Sequence, residues 1–102
     1  MASAERPDTL TRRFVVRGRV QGVGFRCFVE AHARALGIVG WVCNRYDGSV
    51  EVLANGTPQQ LRELQERLRE GPRAARVDEV EVSEADPVER LQSFYVDGAW
   101  CR

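Results

Sequence analysis

An α+β domain is the fold class that the sequence predicts, with two helices packed on one face of a single sheet. Segments with strand-like alternation of apolar and polar residues are interleaved with two segments whose apolar residues recur at helical spacing. Turn and cap residues separate them in the order strand, helix, strand, strand, helix, strand, with one short extra strand. The 102 residues are 43% hydrophobic and 29% charged, a composition typical of one globular domain.

The first half of the chain predicts a strand, a helix and a hairpin. Residues 13–19 are β-prone and alternate, which predicts the strand. A helix is predicted from residue 25, and Gly37 is its C-terminal cap. Segments 38–44 and 49–54 are β-prone and flank an Asp-Gly turn signal, which predicts the hairpin. The apolar stripe of the helix consists of Phe25, Phe28, Val29, Ala33 and Leu36.

The second half predicts a capped helix and the remaining strands. Thr57, Pro58 and Gln60 form a capping box with proline at the first helical position, and Gly71-Pro72 ends the helix. The apolar stripe of this helix consists of Leu61, Leu64 and Leu68.

Two further strands are predicted, over residues 77–82 and 94–96. The natural arrangement of this βαββαβ order, with the short fifth strand, is a ferredoxin-like sandwich. Its antiparallel sheet carries both helices on one face. We expect a flexible N-terminal tail at 1–11, a domain at 12–97 and a C-terminal extension at 98–102.

Targeting signals and cysteine motifs are missing from the sequence. No apolar run has the length of a signal peptide or of a membrane span, so we expect a cytoplasmic protein that does not bind membranes. We also expect a monomer. Cys27, Cys43 and Cys101 are odd in number and match no zinc-ligand spacing. We therefore expect reduced thiols.

The charge is balanced overall but not along the chain. All 15 basic residues are arginine, which excludes mechanisms that need a lysine. Residues 1–45 contain eight arginines and three acidic residues, for a net charge of +5. Residues 46–102 contain seven and twelve, for −5. The first half is therefore the candidate for contact with an anion.

A glycine-rich segment, residues 18–26, joins the first strand to the first helix. It has no proline, so every residue carries an N–H, and Gly22 and Gly24 permit left-handed backbone angles. The amides of Gln21, Gly22, Val23, Gly24 and Phe25 can converge on one anion at the helix N-terminus, where the helix dipole favours negative charge.

Arg26 follows this segment and can add a planar fork that fits two phosphate oxygens. A single phosphate suits this arrangement. Nucleotide-binding motifs do not fit, because there is no lysine for a Walker loop, and Cys27 stands where a dinucleotide fingerprint needs glycine. The alternative is a turn that only lets the helix pack closely on the sheet.

Asn44 ends the second strand and is the second candidate site residue. A right-handed crossover makes the first two strands parallel, so their C-terminal ends lie at one edge of the sheet. One intervening strand separates them by about 10 Å, which leaves room for a phosphate and a water. The Asn44 carboxamide can then hold that water in line with phosphorus. The alternative is an ordinary asparagine beside a turn.

Together these segments resemble the acylphosphatase family, over roughly residues 13–96. The resemblance implies a five-stranded ferredoxin-like fold, hydrolysis of carboxyl phosphates without metal or cofactor, phosphate binding by Arg26 and water orientation by Asn44. The matching residues are Val16, Gly18-Arg19-Val20-Gln21-Gly22-Val23-Gly24-Phe25-Arg26, Ala33, Leu36-Gly37, Gly40-Trp41-Val42, Asn44, Asp47-Gly48-Ser49-Val50-Glu51, Gly56, Gly71-Pro72 and Val77.

The predicted site offers no protein nucleophile and no general acid. An acyl phosphate needs neither, so we expect a small acyl phosphate as substrate, no covalent intermediate, and inorganic phosphate as product and competitive inhibitor. Two alternatives remain. An RNA-binding module shares this architecture, but its aromatic sheet motif is absent, so we expect no nucleic acid partner. A phosphate-binding domain of a larger carbamoyl-transfer protein is the other, although the single-domain length argues against it.

Overall fold

Five strands and two helices follow one another in the order that the sequence predicts. The structure is a computed structural model, and it describes residues 8–88 and 91–100. The elements are β1 (Leu10–Arg19), α1 (Phe25–Leu36), β2 (Val39–Asn44), β3 (Val50–Gly56), α2 (Pro58–Glu70), β4 (Arg76–Glu84) and β5 (Phe94–Trp100).

The strands form one sheet in the order β4-β1-β3-β2-β5. Because β3 is antiparallel to both β1 and β2, those two strands are parallel to each other and separated by one strand, as predicted. The ferredoxin-like α+β class is confirmed. The departure is β5, which pairs in parallel with β2, so the sheet is mixed rather than antiparallel throughout. After β4 the chain crosses to the opposite edge of the sheet. There β5 runs antiparallel to β4 and in the same direction as β2.

The core lies between the helices and one face of the sheet. The two helices contact each other and pack on the strands. Both predicted apolar stripes supply buried residues to this core. Its largest fully buried side chains include Phe14 of β1, Phe25 of α1, Ile38 before β2, Leu61, Leu64 and Leu68 of α2, and Phe94 of β5.

The predicted cap after α1 and the predicted capping box before α2 are both present. Gly37 adopts a left-handed conformation after α1, and backbone N–H groups there donate to the carbonyls of Ala33 and Arg34. At the start of α2, the Gln60 N–H donates to the Thr57 hydroxyl at 3.2 Å, and the Thr57 N–H donates to the Gln60 side chain at 2.8 Å. The capping box therefore satisfies two N–H groups that the helix itself leaves unpaired.

The terminal strands are longer than the alternation pattern indicates. β1 begins at Leu10, within the predicted tail, and β5 continues through the predicted extension to Trp100. Gly98, with φ 64°, lies in this last part of β5, where the pairing register with β2 shifts. The end of β5 therefore runs beside the end of β2.

The cysteines differ from each other in redox state. Cys27 is an exposed free thiol, as predicted, but Cys43 is disulfide-bonded, so the prediction of a reduced thiol at Cys43 was wrong. Cys101, also predicted to be reduced, lies outside the described residues. The spacing of the cysteines carries no information about the parallel pairing that places the end of β5 beside Cys43 and Asn44.

The packing of α2 makes a direct stability prediction. Leu64 is fully buried, so Leu64→Ala is expected to lower the free energy of unfolding by about 3 kcal/mol, through lost apolar burial and the cavity left behind. The same substitution at Leu10, which is 38% exposed, should cost only about 0.5 kcal/mol. Urea unfolding of both variants measures the difference, and equal costs would contradict the assigned core.

Candidate active site

The loop between β1 and α1 ends in an uncapped helix N-terminus. Gly22 and Gly24 adopt left-handed angles, with φ of 73° and 80°. A Cβ at either position would meet nothing within 4 Å, so the backbone angle rather than lack of space favours glycine there. Gly24 is the N-cap of α1, where no side chain accepts a hydrogen bond from the helix and no acidic residue lies in the first turn. The first amides of α1 therefore have no side-chain partner at the cap.

A cavity of about 180 Å³ opens at this helix end. Five of the seven predicted site residues line it, and they come from both sides, the loop and β2. Gln21 and Val23 do not line it, and Val23 packs instead against the core. The lining residues are Val20, Gly22, Gly24, Phe25, Arg26, Cys27, Asn44 and Val96.

Arg26 lies in the first turn of α1 and is held by β5. Its Nη1 donates to the Gly98 carbonyl at 2.9 Å. A guanidinium carries five N–H groups in a planar fork, so this contact leaves donors that can bind a phosphate. Gly98 belongs to the extension for which the sequence indicated no structure. The contact therefore gives the end of β5 a part in orienting Arg26.

Asn44 is the last residue of β2, where it pairs with Val50 of β3. Its Oδ1 is buried and accepts no hydrogen bond from the part of the protein that the structure describes. A buried acceptor without a donor costs about 1–3 kcal/mol. Because Asn44 also lines the cavity, this oxygen is suited to accept a hydrogen bond from a bound molecule.

The β2–β3 turn is bound to the glycine-rich loop by a side chain. Gln21 Nε2 donates to the carbonyl of Arg45 at 2.7 Å and to that of Ser49 at 2.9 Å. Within the turn, Asp47 accepts hydrogen bonds from the Ser49 N–H at 3.0 Å and the Ser49 hydroxyl at 2.5 Å. The two sides of the cavity are thus connected through one glutamine and an ordered turn.

Sequence reasoning missed three contributions to the site: the Gln21 side chain, the Gly98 carbonyl and the walls formed by Cys27 and Val96. Gln21 was predicted to act through its backbone amide alone. The Asp-Gly pair at 97–98 is a turn signal, and it lies where the pairing register of β5 with β2 shifts.

The pKa of Asp47 is lowered from its ordinary 3.8 to about 2. The main cause is the hydrogen bond from the Ser49 hydroxyl. The Ser49 N–H and the nearby arginines, Arg17 and Arg45, also lower it. Asp47 is thus an anionic acceptor that orders the turn after Asn44.

The depressed pKa predicts a loss of stability in acid. The ionised Asp47 stabilises the folded state. This contribution is complete above the unfolded pKa of 3.8 and is lost as pH falls towards about 2. Carboxyl NMR titration should place the Asp47 midpoint near 2, and Asp47→Asn should flatten the stability profile between these pH values. A midpoint at 3.8 would contradict the hydrogen bonds from Ser49.

A larger cavity, of about 510 Å³, lies on the sheet face opposite the helices. Its walls include Arg13, Trp41, Leu53 and residues 84–88. Arg13 is engaged there by Glu51, with Nε donating to the carboxylate at 2.7 Å. The smaller cavity is the better candidate because it combines uncapped helix amides, an arginine and a buried amide oxygen.

Residues 8–88 and 91–100 contain neither a membrane-spanning helix nor a group of metal-binding side chains. No described helix is long and apolar enough to cross a membrane. Among the same residues, no three His, Cys, Asp or Glu side chains are grouped so that they could hold a metal ion.

The fold and the cavity at its helix end define the chain as a small ferredoxin-like α+β domain. The acylphosphatase family model matches residues 12–96. An acylphosphatase of Koribacter versatilis (strain Ellin345) is 59% identical over 90 residues, which are 88% of this chain and 82% of that protein. The chain belongs to the acylphosphatase family, which confirms the resemblance found in the sequence. Because this is a family of enzymes, the prediction of an enzyme is confirmed as well.

Solved structures agree with this assignment. The structure of an acylphosphatase from Coxiella burnetii superposes with a TM-score of 0.85 at 35% identity, covering 94% of this chain and all of that one. Full-length HypF, solved in a phosphate- and nucleotide-bound form, gives a TM-score of 0.84 at 27% identity, over 96% of this chain but 13% of HypF. The fold therefore also occurs within a larger protein.

Proposed function

We propose that the chain hydrolyses acyl phosphates to a carboxylate and inorganic phosphate, with phosphate bound by the amides of residues 21–25 and by Arg26, and water oriented by Asn44. The observation that carries the proposal is the cavity in which the uncapped start of α1, Arg26 and Asn44 meet, where the Asn44 Oδ1 accepts no hydrogen bond from the part of the chain that the structure describes. Membership of the acylphosphatase family supports the same substrate class.

The phosphate is bound by fixed dipoles and one cation. Left-handed angles at Gly22 and Gly24 allow successive N–H groups to face one anion, and the dipole of α1 adds partial positive charge there. Arg26 supplies charge-assisted hydrogen bonds to two phosphate oxygens. Phosphoryl transfer spreads negative charge over the equatorial oxygens, so the same donors stabilise the transition state.

The attacking water is held by Asn44. The Asn44 Oδ1 accepts a hydrogen bond from the water, which satisfies a buried atom that accepts none from the described residues. Water attacks phosphorus directly, and the acyl oxygen leaves as carboxylate. Because a carboxylic acid has a pKa of about 4, this leaving group needs no proton, and the proton of the water passes to a phosphate oxygen.

The RNA-binding alternative would use the open face of the sheet. On that face two arginines of β1 are already paired with carboxylates, Arg13 with Glu51 and Arg17 with Glu81 and Asp47. These pairs reduce the positive charge available to a nucleic acid backbone. They favour the enzyme over the binding module.

Hydrolysis of benzoyl phosphate in excess EDTA tests the proposal. We expect rapid hydrolysis without metal, competitive inhibition by inorganic phosphate, and feeble cleavage of phenyl phosphate, whose leaving group is poorer.

Cys27→Ala should retain the wild-type rate, because the thiol lines the cavity but takes no part in the reaction. A requirement for divalent metal, or loss of activity in Cys27→Ala, would overturn the mechanism.

A further inference from the structure

We infer that the side chain of Gln21 is a positioning residue, which fixes Asn44 relative to the phosphate-binding loop. The inference rests on the proposed function, because it concerns the geometry of the same site. Only the backbone amide of Gln21 belongs to the phosphate-binding set. The side chain acts through the β2–β3 turn.

The contacts of Gln21 join the two halves of the site. Its half-buried carboxamide directs Nε2 at two carbonyls, those of Arg45 at 2.7 Å and Ser49 at 2.9 Å. An amide nitrogen carries two N–H groups, so both can be used here. Asparagine is one methylene shorter, glutamate lacks these donors and methionine has none, so glutamine matches this task in length and chemistry.

The two carbonyls that Gln21 contacts belong to the residue pair next to Asn44, on the turn side. Arg45 follows Asn44 directly, and Ser49 precedes Val50, the cross-strand partner of Asn44. The Arg45 N–H donates to the Ser49 carbonyl at 2.9 Å and closes the hairpin at this point. Gln21 therefore binds the hairpin at the pair next to Asn44.

The turn is ordered enough to transmit this constraint. The Arg45 carbonyl also accepts from the Gly48 N–H at 3.1 Å, and Asp47 accepts from Ser49. Arg17 of β1 reaches Asp47 at 3.3 Å, which adds a second connection near the loop. An exposed pair of this kind contributes little, so the half-buried Gln21 contacts are the stronger connection.

The sheet joins the loop to Asn44 only indirectly, through Val50 of β3, which pairs with Val16 of β1 and with Asn44 of β2. β1, which leads into the loop, and β2, which ends at Asn44, are separated by β3. Without the Gln21 contacts the amides of residues 21–25 and Arg26 still surround phosphate, but the water held by Asn44 is no longer aimed at phosphorus. Loss of the contacts therefore affects turnover more than phosphate binding.

Gln21→Met tests the inference, because methionine keeps the length of the side chain without its donors. We expect kcat for benzoyl phosphate to fall by about 10- to 100-fold, as for a misplaced reacting group, while the inhibition constant of phosphate changes by less than about 3-fold. The matched control is Gln60→Met. This substitution removes the hydrogen bond of 2.8 Å from Gln60 Nε2 to the Leu36 carbonyl, which lies away from the site. It should lower the melting temperature and leave kcat unchanged.

A double-mutant cycle with Asn44→Ala separates positioning from general stability. If Gln21 acts through Asn44, Gln21→Met should lower kcat no further in the Asn44→Ala background. Additive losses, an unchanged kcat in the single variant, or an equal loss of phosphate affinity would each overturn the inference.

The outcomes are distinguishable from failure of the proposed function. No hydrolysis by the wild type rejects that function, whereas wild-type hydrolysis with a silent Gln21→Met rejects only the positioning role. Should Gln21→Met not fold, a crystal structure of the wild type with phosphate decides. Gln21 Nε2 bonded to both turn carbonyls supports the inference, and a side chain turned to solvent overturns it.

Discussion

Arg26→Ala is expected to lower kcat/KM for benzoyl phosphate by about 10³-fold, as for loss of an arginine that stabilises a phosphoryl transition state. Inhibition by inorganic phosphate should weaken by at least about 10-fold, because charge-assisted hydrogen bonds to the bound anion are lost as well. Both effects follow from one side chain that meets the phosphate in the ground state and in the transition state. Steady-state kinetics with and without phosphate measure them.

Two variants make this result specific to the guanidinium at Arg26. Arg26→Lys keeps the charge but not the planar fork, so it should recover only a small part of the rate. Arg34→Ala is the matched control, because Arg34 also lies on α1 and donates to a β5 carbonyl, that of Phe94, at 2.9 Å. Its rate should stay near that of the wild type. Unchanged phosphate inhibition in Arg26→Ala would remove Arg26 from the binding site.

The fold was predictable because local signals agreed with one another. The stripe beginning at Phe25, the cap at Gly37 and the capping box at Thr57 each act over a few residues, and each lies where it was predicted. The parallel course of β1 and β2 followed from the handedness of the crossover. These features depend on sequence separations of about one helix or less, at which periodicity and capping are strong.

The end of the chain was not predictable in the same way. β5 pairs in parallel with β2 at the far edge of the sheet from β4, and its last residues continue past the bend at Gly98. That placement depends on contacts between distant parts of the chain, which no local sequence pattern predicts. The disulfide at Cys43 escaped prediction for the same reason.

In the candidate site, too, local features could be predicted from the sequence and long-range contacts could not. The glycine-rich loop and Arg26 form one continuous motif, and their chemistry is contained in the residue types and their order. The two bonds from Gln21 to the β2–β3 turn join residues 24 and 28 positions apart. No sequence pattern around a loop glutamine predicts such partners, so the side chain of Gln21 was assigned no role.

Asn44→Ala is expected to separate turnover from phosphate binding. We predict that kcat falls by about 10²- to 10³-fold, the range for removal of a preorganised hydrogen bond at the reacting group. The inhibition constant of phosphate should stay within about 3-fold of the wild type, because the amides of the loop and Arg26 remain. Benzoyl phosphate hydrolysis under saturating substrate, with phosphate titrations, measures both quantities.

The matched control for this variant is Asn55→Ala, which removes an asparagine from the adjacent strand β3. Asn55 Nδ2 donates to the Thr11 hydroxyl at 2.9 Å, in a part of the sheet away from the cavity, so its loss should affect stability and not rate. Asn44→Ala also removes a buried oxygen that accepts no hydrogen bond within residues 8–88 and 91–100, so that variant should fold without a large loss of stability. Near-normal kcat in folded Asn44→Ala would show that the water is held elsewhere, whereas a parallel loss of phosphate affinity would assign Asn44 to the binding of phosphate itself.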